Sequence, residues 1–150
     1  TLTRLFVLFR EQQSSMNPYS TCKPESPDYI APYRRTGPGQ ALDGQPRYDL
    51  SQRNPEFFDR LDRFLSLAAE YGIIVEITLL SNVYTPQVWA LHPLHPANNL
   101  DELGEIDWPD FMSMRHPRLF AHQLAHVRSI VEATRASYDA QARGMDHSAA

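Results

Sequence analysis

The chain is poor in cysteine, with Cys22 alone among 150 residues. One thiol excludes an intramolecular disulfide framework and a zinc site built on cysteines. Long apolar runs are missing as well. The two longest lie within residues 2–9 (LTRLFVLF) and 73–80 (IIVEITLL), the size of strands and well short of a membrane span. There is no surplus of positive charge: the formal net charge is −4 and the pI about 5.8. No basic footprint for nucleic acid is present, and no acidic block forms a tail. Phosphate-binding glycine loops are also lacking. The run Gly37-Pro38-Gly39 has neither the Walker lysine nor the Rossmann spacing, which argues against a doubly wound nucleotide-binding domain.

What the chain does have is 42% hydrophobic residues, enough for a packed core, and 12 prolines whose placement divides it. Residues 2–9 read as a strand. Residues 10–50 hold six of the prolines and Gly37, Gly39 and Gly44, which predicts an irregular connection over most of that length. Residues 54–71 carry the clearest helical signal. Asn54 suits the N-cap, Pro55 the first turn and Gly72 the residue after the end, while Phe57, Leu61, Phe64, Leu65 and Ala68 form one face. Residues 73–80 follow at once as a strand apolar enough to be covered on both faces. A second irregular stretch, 81–116, has room for one helical turn near Gln87. A helix over 117–135 presents Leu119, Phe120, Leu124, Val127 and Val131 as its apolar stripe. Residues 140–150 read as a frayed or disordered tail, leaving 1–139 as the domain.

Both long connections leave a strand and enter a helix, whereas the helix-to-strand turn is minimal. In parallel α/β proteins the loops at the carboxyl ends of strands carry the site. The expected fold is therefore α/β, with two adjacent parallel strands, flanking helices and two long βα loops.

Charged Arg4 and Glu76 interrupt otherwise apolar strands at matching heights. If the strands are parallel neighbours, the two meet as an ion pair beneath the site, with catalytic support or simple satisfaction of core polarity as its role. The segment 84–99 (YTPQVWALHPLHPANN) gathers Tyr84, Trp89, His92, His95, Asn98 and Asn99. Aromatic planes stack on sugar rings, and imidazole and amide groups hydrogen-bond hydroxyls, so these six are the candidate carbohydrate-binding residues. The same composition also suits a loop folded on its own aromatics and capped by asparagine. His92 and His95 lack the cysteine or carboxylate that would complete a metal set, so no metal is expected. Arg34 and Arg35 either clamp a carboxylate or sit solvated in a turn. Tyr48 and Asp49 shape the exit of the first loop. His122 and His126 read as the flank of an exposed helix face. Cys22 has no partner motif for a nucleophile.

The residues 2–9, Tyr48-Asp49-Leu50, 54–60 (NPEFFDR), 72–80 and Trp89…92–99 together resemble the cellulase-like glycoside hydrolases with a (β/α)8 TIM barrel. The resemblance spans about residues 2–139 and implies that the two strands are barrel strands two and three. It implies O-glycosidic hydrolysis of a β-glycan by a carboxylate pair, with no cofactor, and leaves the compartment unassigned. In such enzymes the acid/base glutamate follows strand four in an Asn-Glu-Pro motif, and the nucleophile follows strand seven. Here the pattern ends after Tyr138-Asp139, and Glu11 is the one carboxylate close behind a strand. No catalytic residue is assigned. The chain reads as an internal piece of a barrel whose remainder is missing, inactive by itself; the alternative is a non-catalytic carbohydrate-binding or interaction fragment.

Overall fold

Along the chain run β1 (Leu2–Phe6), β2 (Tyr33–Gln40), β3 (Pro46–Arg53), α1 (Pro55–Glu70), β4 (Ile74–Thr78), α2 (Pro86–Leu91) and α3 (Pro117–His147), with 3-10 turns at Pro96–Asn98 and Trp108–Met112. The computed structural model describes residues 1–8 and 28–147, so Glu11 and Cys22 lie outside the described residues.

The fold is mixed α/β. β1 and β4 form a parallel pair in the register Leu2↔Ile74, Arg4↔Glu76, Phe6↔Thr78. A parallel pair needs a crossover, and α1 supplies it. Its start follows from sequence: the Asn54 side chain accepts a hydrogen bond from the Glu56 amide at 3.2 Å, with Pro55 in the first turn. Its end is a Schellman turn. Gly72, at φ +62°, donates to the Ala69 carbonyl (3.0 Å) and Ile73 donates to that of Ala68 (2.8 Å). That sharp stop launches β4 directly.

One face of the pair packs under the helices, where Val7, Leu61 and Ile130 are buried with Leu5, Phe57, Leu65, Ile77 and Leu79 around them. The other face carries Leu2 (64% exposed), Phe6 (47%) and Ile74 (69%). Arg4 and Glu76 lie between them in a bidentate pair, at 2.9 and 3.1 Å. Their side chains are 58% and 47% exposed, so the pair sits on an open face rather than under a floor. Such an exposed pair contributes about 0–1 kcal/mol. No closed barrel is seen among the described residues.

The first connection departs from its expected irregularity. β2 and β3 pair antiparallel as a hairpin, tied at the turn by Ala41 donating to Gln45 (2.8 Å) and Gly44 to Ala41 (2.9 Å). The prolines are compatible with it because of where they fall. Pro38 lies in a register break between Arg35 and Gln40, and Pro46 opens β3, so neither interrupts a regular ladder. Tyr48 and Leu50 alternate inward from β3.

α3 departs in two ways. It continues through residues 140–147, where a frayed tail is expected. Its buried stripe is Leu119, Gln123, His126 and Ile130, while Phe120, Leu124 and Val131 of the expected apolar stripe are exposed. His126, expected at the edge of an exposed face, is 1% exposed. The helix is rotated so that its more polar side meets the loops.

Replacing Gly72 with alanine is expected to destabilise the chain by about 1 kcal/mol. An added Cβ meets no atom within 4 Å, so the penalty is purely conformational. Urea unfolding measures it, and an unchanged midpoint would refute the left-handed cap.

Candidate functional site

Past the carboxyl ends of β1 and β4, Leu8 and Leu80 enter a second core shared by the two connections. It contains Tyr33, Tyr48, Val83, Trp89, Leu94, Leu103, Phe111 and Leu119. The described part of the first connection and the second loop therefore gather at one end of the parallel pair, the end where α/β proteins bind ligands.

The second loop is organised by two adjacent amides. Asn98 Nδ2 donates to the carbonyls of Ala90 (2.8 Å) and His92 (2.9 Å), and its Oδ1 accepts from the Leu42 amide at 2.8 Å. Asn99 Nδ2 donates to Pro93 (3.0 Å) and His95 (2.9 Å), and its Oδ1 accepts from the Asp101 amide at 3.0 Å. Leu100 donates to the Tyr48 carbonyl at 2.9 Å, beside a parallel bridge between Tyr48 and Asn99. The loop is thereby stitched to the β2–β3 hairpin. Trp89 is 3% exposed; its indole Nε1 donates to the Ile106 carbonyl at 3.1 Å, and its ring lies 5.4 Å from His92, 5.1 Å from His95 and 5.6 Å from Phe111.

The six sequence-derived candidates thus divide. Trp89, His92, Asn98 and Asn99 are buried and spend their polar groups largely on the loop itself, so they present no surface to a sugar. Tyr84 stands exposed and His95 is half-buried at the rim. His95 Nδ1 accepts from the Ala97 amide at 3.1 Å, which leaves Nε2 as the donor on the neutral ring. Burial lowers the His95 pKa from its ordinary value.

Arg35, read from sequence as a clamp or a solvated turn residue, is a clamp. Nη1 and Nη2 donate to Asp43 at 3.2 and 2.5 Å, Nη2 donates to the Tyr48 hydroxyl at 2.6 Å, and the guanidinium lies 3.9 Å from the Tyr48 ring centroid. Asp43 was not singled out in the sequence; its position beside Gly44, in an Asp-Gly hairpin turn, is the available signal. Arg34 is exposed. His122 lies 3.7 Å from Asp101. Among the described residues no group of three His, Cys, Asp or Glu side chains is placed to hold a metal ion, and no helix is long and apolar enough to cross a membrane.

Two imidazoles are deeply buried. Burial, then the neighbouring His126, push the His92 pKa down to about 3. Burial pushes His126 down to about 4. Burial also raises the Tyr33 phenol beyond its ordinary range.

Asn99→Asp puts a carboxylate, which has no N–H to donate, against the Pro93 and His95 carbonyls, the second of which keeps the Asn98 backbone amide as a donor. It is expected to destabilise the chain by about 2–4 kcal/mol, read from chemical denaturation. A loss below about 0.5 kcal/mol would show that the loop does not depend on this amide. The histidines set a pH dependence. Each folded pKa lies below the unfolded value of 6.5, so the unfolded chain takes up protons first as pH falls. Stability is expected to be level above pH 6.5 and to fall from there to about pH 3, and His92→Phe/His126→Phe is expected to remove that fall. A wild-type stability curve flat between pH 6.5 and 4 would contradict the buried neutral rings.

No curated protein and no solved structure matches the chain. Residues 22–131 match a family model described as a domain of unknown function, DUF6298. With most of its length inside that match, the chain belongs to the DUF6298 family.

Proposed function

We propose that this chain is a sector of a (β/α)8-barrel glycoside hydrolase of the cellulase-like kind. In this reading β1 and β4 are barrel strands two and three, α1 and α3 are the helices that follow them, and the parent protein cleaves O-glycosidic bonds of a β-glycan. The observation that carries the reading is the arrangement around the parallel pair. Helices cover one face, the second loop and the described part of the first gather at the carboxyl ends, and Leu2, Phe6 and Ile74 stand exposed on the opposite face around the Arg4–Glu76 pair. A barrel sector has this form, because its inner face and both edges are completed by neighbouring strands. The exposed Phe120, Leu124 and Val131 on α3 suit the next helix of such a ring.

Hydrolysis requires two carboxylates about 5–9 Å apart across the cleaved bond. In the described part of the second loop the first carboxylates after β4 are Asp101 and Glu102, more than twenty residues on. Glu11, behind the first strand, lies outside the described residues; following the resemblance, this reading assigns the acid pair to the sectors of strands four and seven and the rim to this one. Tyr84 offers a ring for stacking and His95 a donor for a hydroxyl. The buried members of the loop hold that rim in place.

The test is an NMR titration of the chain with cellohexaose, together with an assay on aryl β-glucosides. Shifts centred on Tyr84 and His95, at least tenfold weaker binding in Tyr84→Ala and no turnover are expected. Absence of binding at millimolar oligosaccharide, or shifts confined to other surfaces, would overturn the sugar reading. A non-catalytic interaction fragment is the second reading, favoured by the open apolar face of α3; concentration-dependent association without sugar binding would select it.

A further inference from the structure

The side of α3 that faces the loops is polar at two consecutive contact positions, Gln123 and His126, three residues apart on one helix face. Gln123 Nε2 donates to the Phe111 carbonyl at 2.7 Å, which assigns the amide and leaves Oε1 as an acceptor. The Phe111 ring lies 4.7 Å from that of His92, so the loop histidine borders the same place. His92 Nδ1 accepts from the Leu94 amide at 3.1 Å, so the neutral ring carries its proton on Nε2. His92 Nε2, Gln123 Oε1 and both ring nitrogens of His126 are buried without a hydrogen-bond partner among the described residues. The carbonyls of Leu8 and Leu79 approach His92 and His126 respectively, yet neither contact meets hydrogen-bond geometry. These carbonyls lie just past β1 and β4, so the unsatisfied groups sit at the carboxyl ends of the parallel strands.

The groups are of mixed sense. His92 offers a donor, Gln123 an acceptor, and neutral His126 one of each. A metal ion needs lone pairs from several ligands, but the two His92 nitrogens are occupied by the Leu94 amide and by a proton. An anion would require charged imidazoles, which burial opposes. A sugar hydroxyl would need an opening, and the three side chains are each at most 2% exposed. Water both donates and accepts, and buried water characteristically makes about three bonds to groups of this kind.

We infer that His92, Gln123 and His126 form an internal water site at the carboxyl ends of β1 and β4, and that the bound water is the polar link between the second loop and α3. The site accounts for polar residues on the buried stripe of the helix, where leucines would otherwise serve. It is independent of whether a sugar is the ligand at the rim.

The test uses the full chain. A high-resolution crystal structure is expected to show a water oxygen within hydrogen-bonding distance of His92 Nε2 and of Gln123 Oε1 or His126. Nitrogen-15 spectra are expected to give His92 as the Nε2–H tautomer. Magnetic relaxation dispersion of water is expected to detect a long-lived internal molecule in the wild type that is lost in Gln123→Leu. A dry site with both rings bonded directly to the Leu8 and Leu79 carbonyls would overturn the inference. So would a side chain occupying the place of the water, or a His92 protonated on Nδ1. If the substituted chain does not fold, the wild-type structure and tautomer decide.

Discussion

A buried loop must supply partners for its own backbone, and everything at the carboxyl end of this parallel pair depends on how that requirement is met. The carbonyls of Ala90, His92, Pro93 and His95 turn inward with no sheet or long helix to receive them. Two adjacent amide side chains do so, each donating twice and accepting once, while the His92 and His95 carbonyls also accept the backbone amides of His95 and Asn98. Because the Asn98 acceptor takes an amide from the β2–β3 hairpin, the same device fastens the first connection to the second. With the backbone satisfied, Trp89, Leu94 and Phe111 can be buried on loops as fully as on regular elements.

The two cores differ in character as a result. The one between sheet and helices is ordinary apolar packing, set by the α1 stripe and by the inward residues of β1 and β4. The one beyond the strand ends mixes rings with imidazoles and amides, and it turns the polar side of α3 inward. Phe120, Leu124 and Val131 are displaced to the surface in consequence. In the proposed barrel-sector reading, the apolar stripe left outside and the exposed sheet face have the same origin, each being one flank of a contact with a neighbouring sector.

Much of the scaffold was legible because its signals are local. Asn54-Pro55 and Gly72 bound α1 through capping chemistry that needs no tertiary information. Arg4 and Glu76 are expected to meet if β1 and β4 are parallel neighbours, and the observed register pairs those two residues, on an exposed face rather than beneath a floor. The hairpin is not legible from the number of prolines in residues 10–50. Their effect depends on position, and the alternation of Tyr48 and Leu50 was the stronger sign. The α3 stripe was misread for the opposite reason. Hydrophobicity ranks Phe120 and Leu124 above Gln123 and His126, but which side is buried depends on what the helix meets, and here it meets carbonyls and ring nitrogens.

The candidate site shows why residue type alone could not decide between a ligand surface and a loop interior. Recognition of a sugar and satisfaction of a buried loop call for the same groups, flat rings beside amides and imidazoles, because both problems present hydroxyl-like or carbonyl polarity against apolar faces. Sequence gives the inventory, whereas burial assigns each member. Trp89, Asn98 and Asn99 are committed by their hydrogen bonds to the chain itself, and a residue so committed acts on a ligand only by holding something else still. Tyr84 and His95 are the members of the set with surface left to offer, and the His95 ring lies 5.1 Å from the buried Trp89 ring, tilted by 50°. In the proposed sugar reading, ligand contact would therefore rest on a few exposed groups, with His95 among them placed beside interior residues of the same kinds.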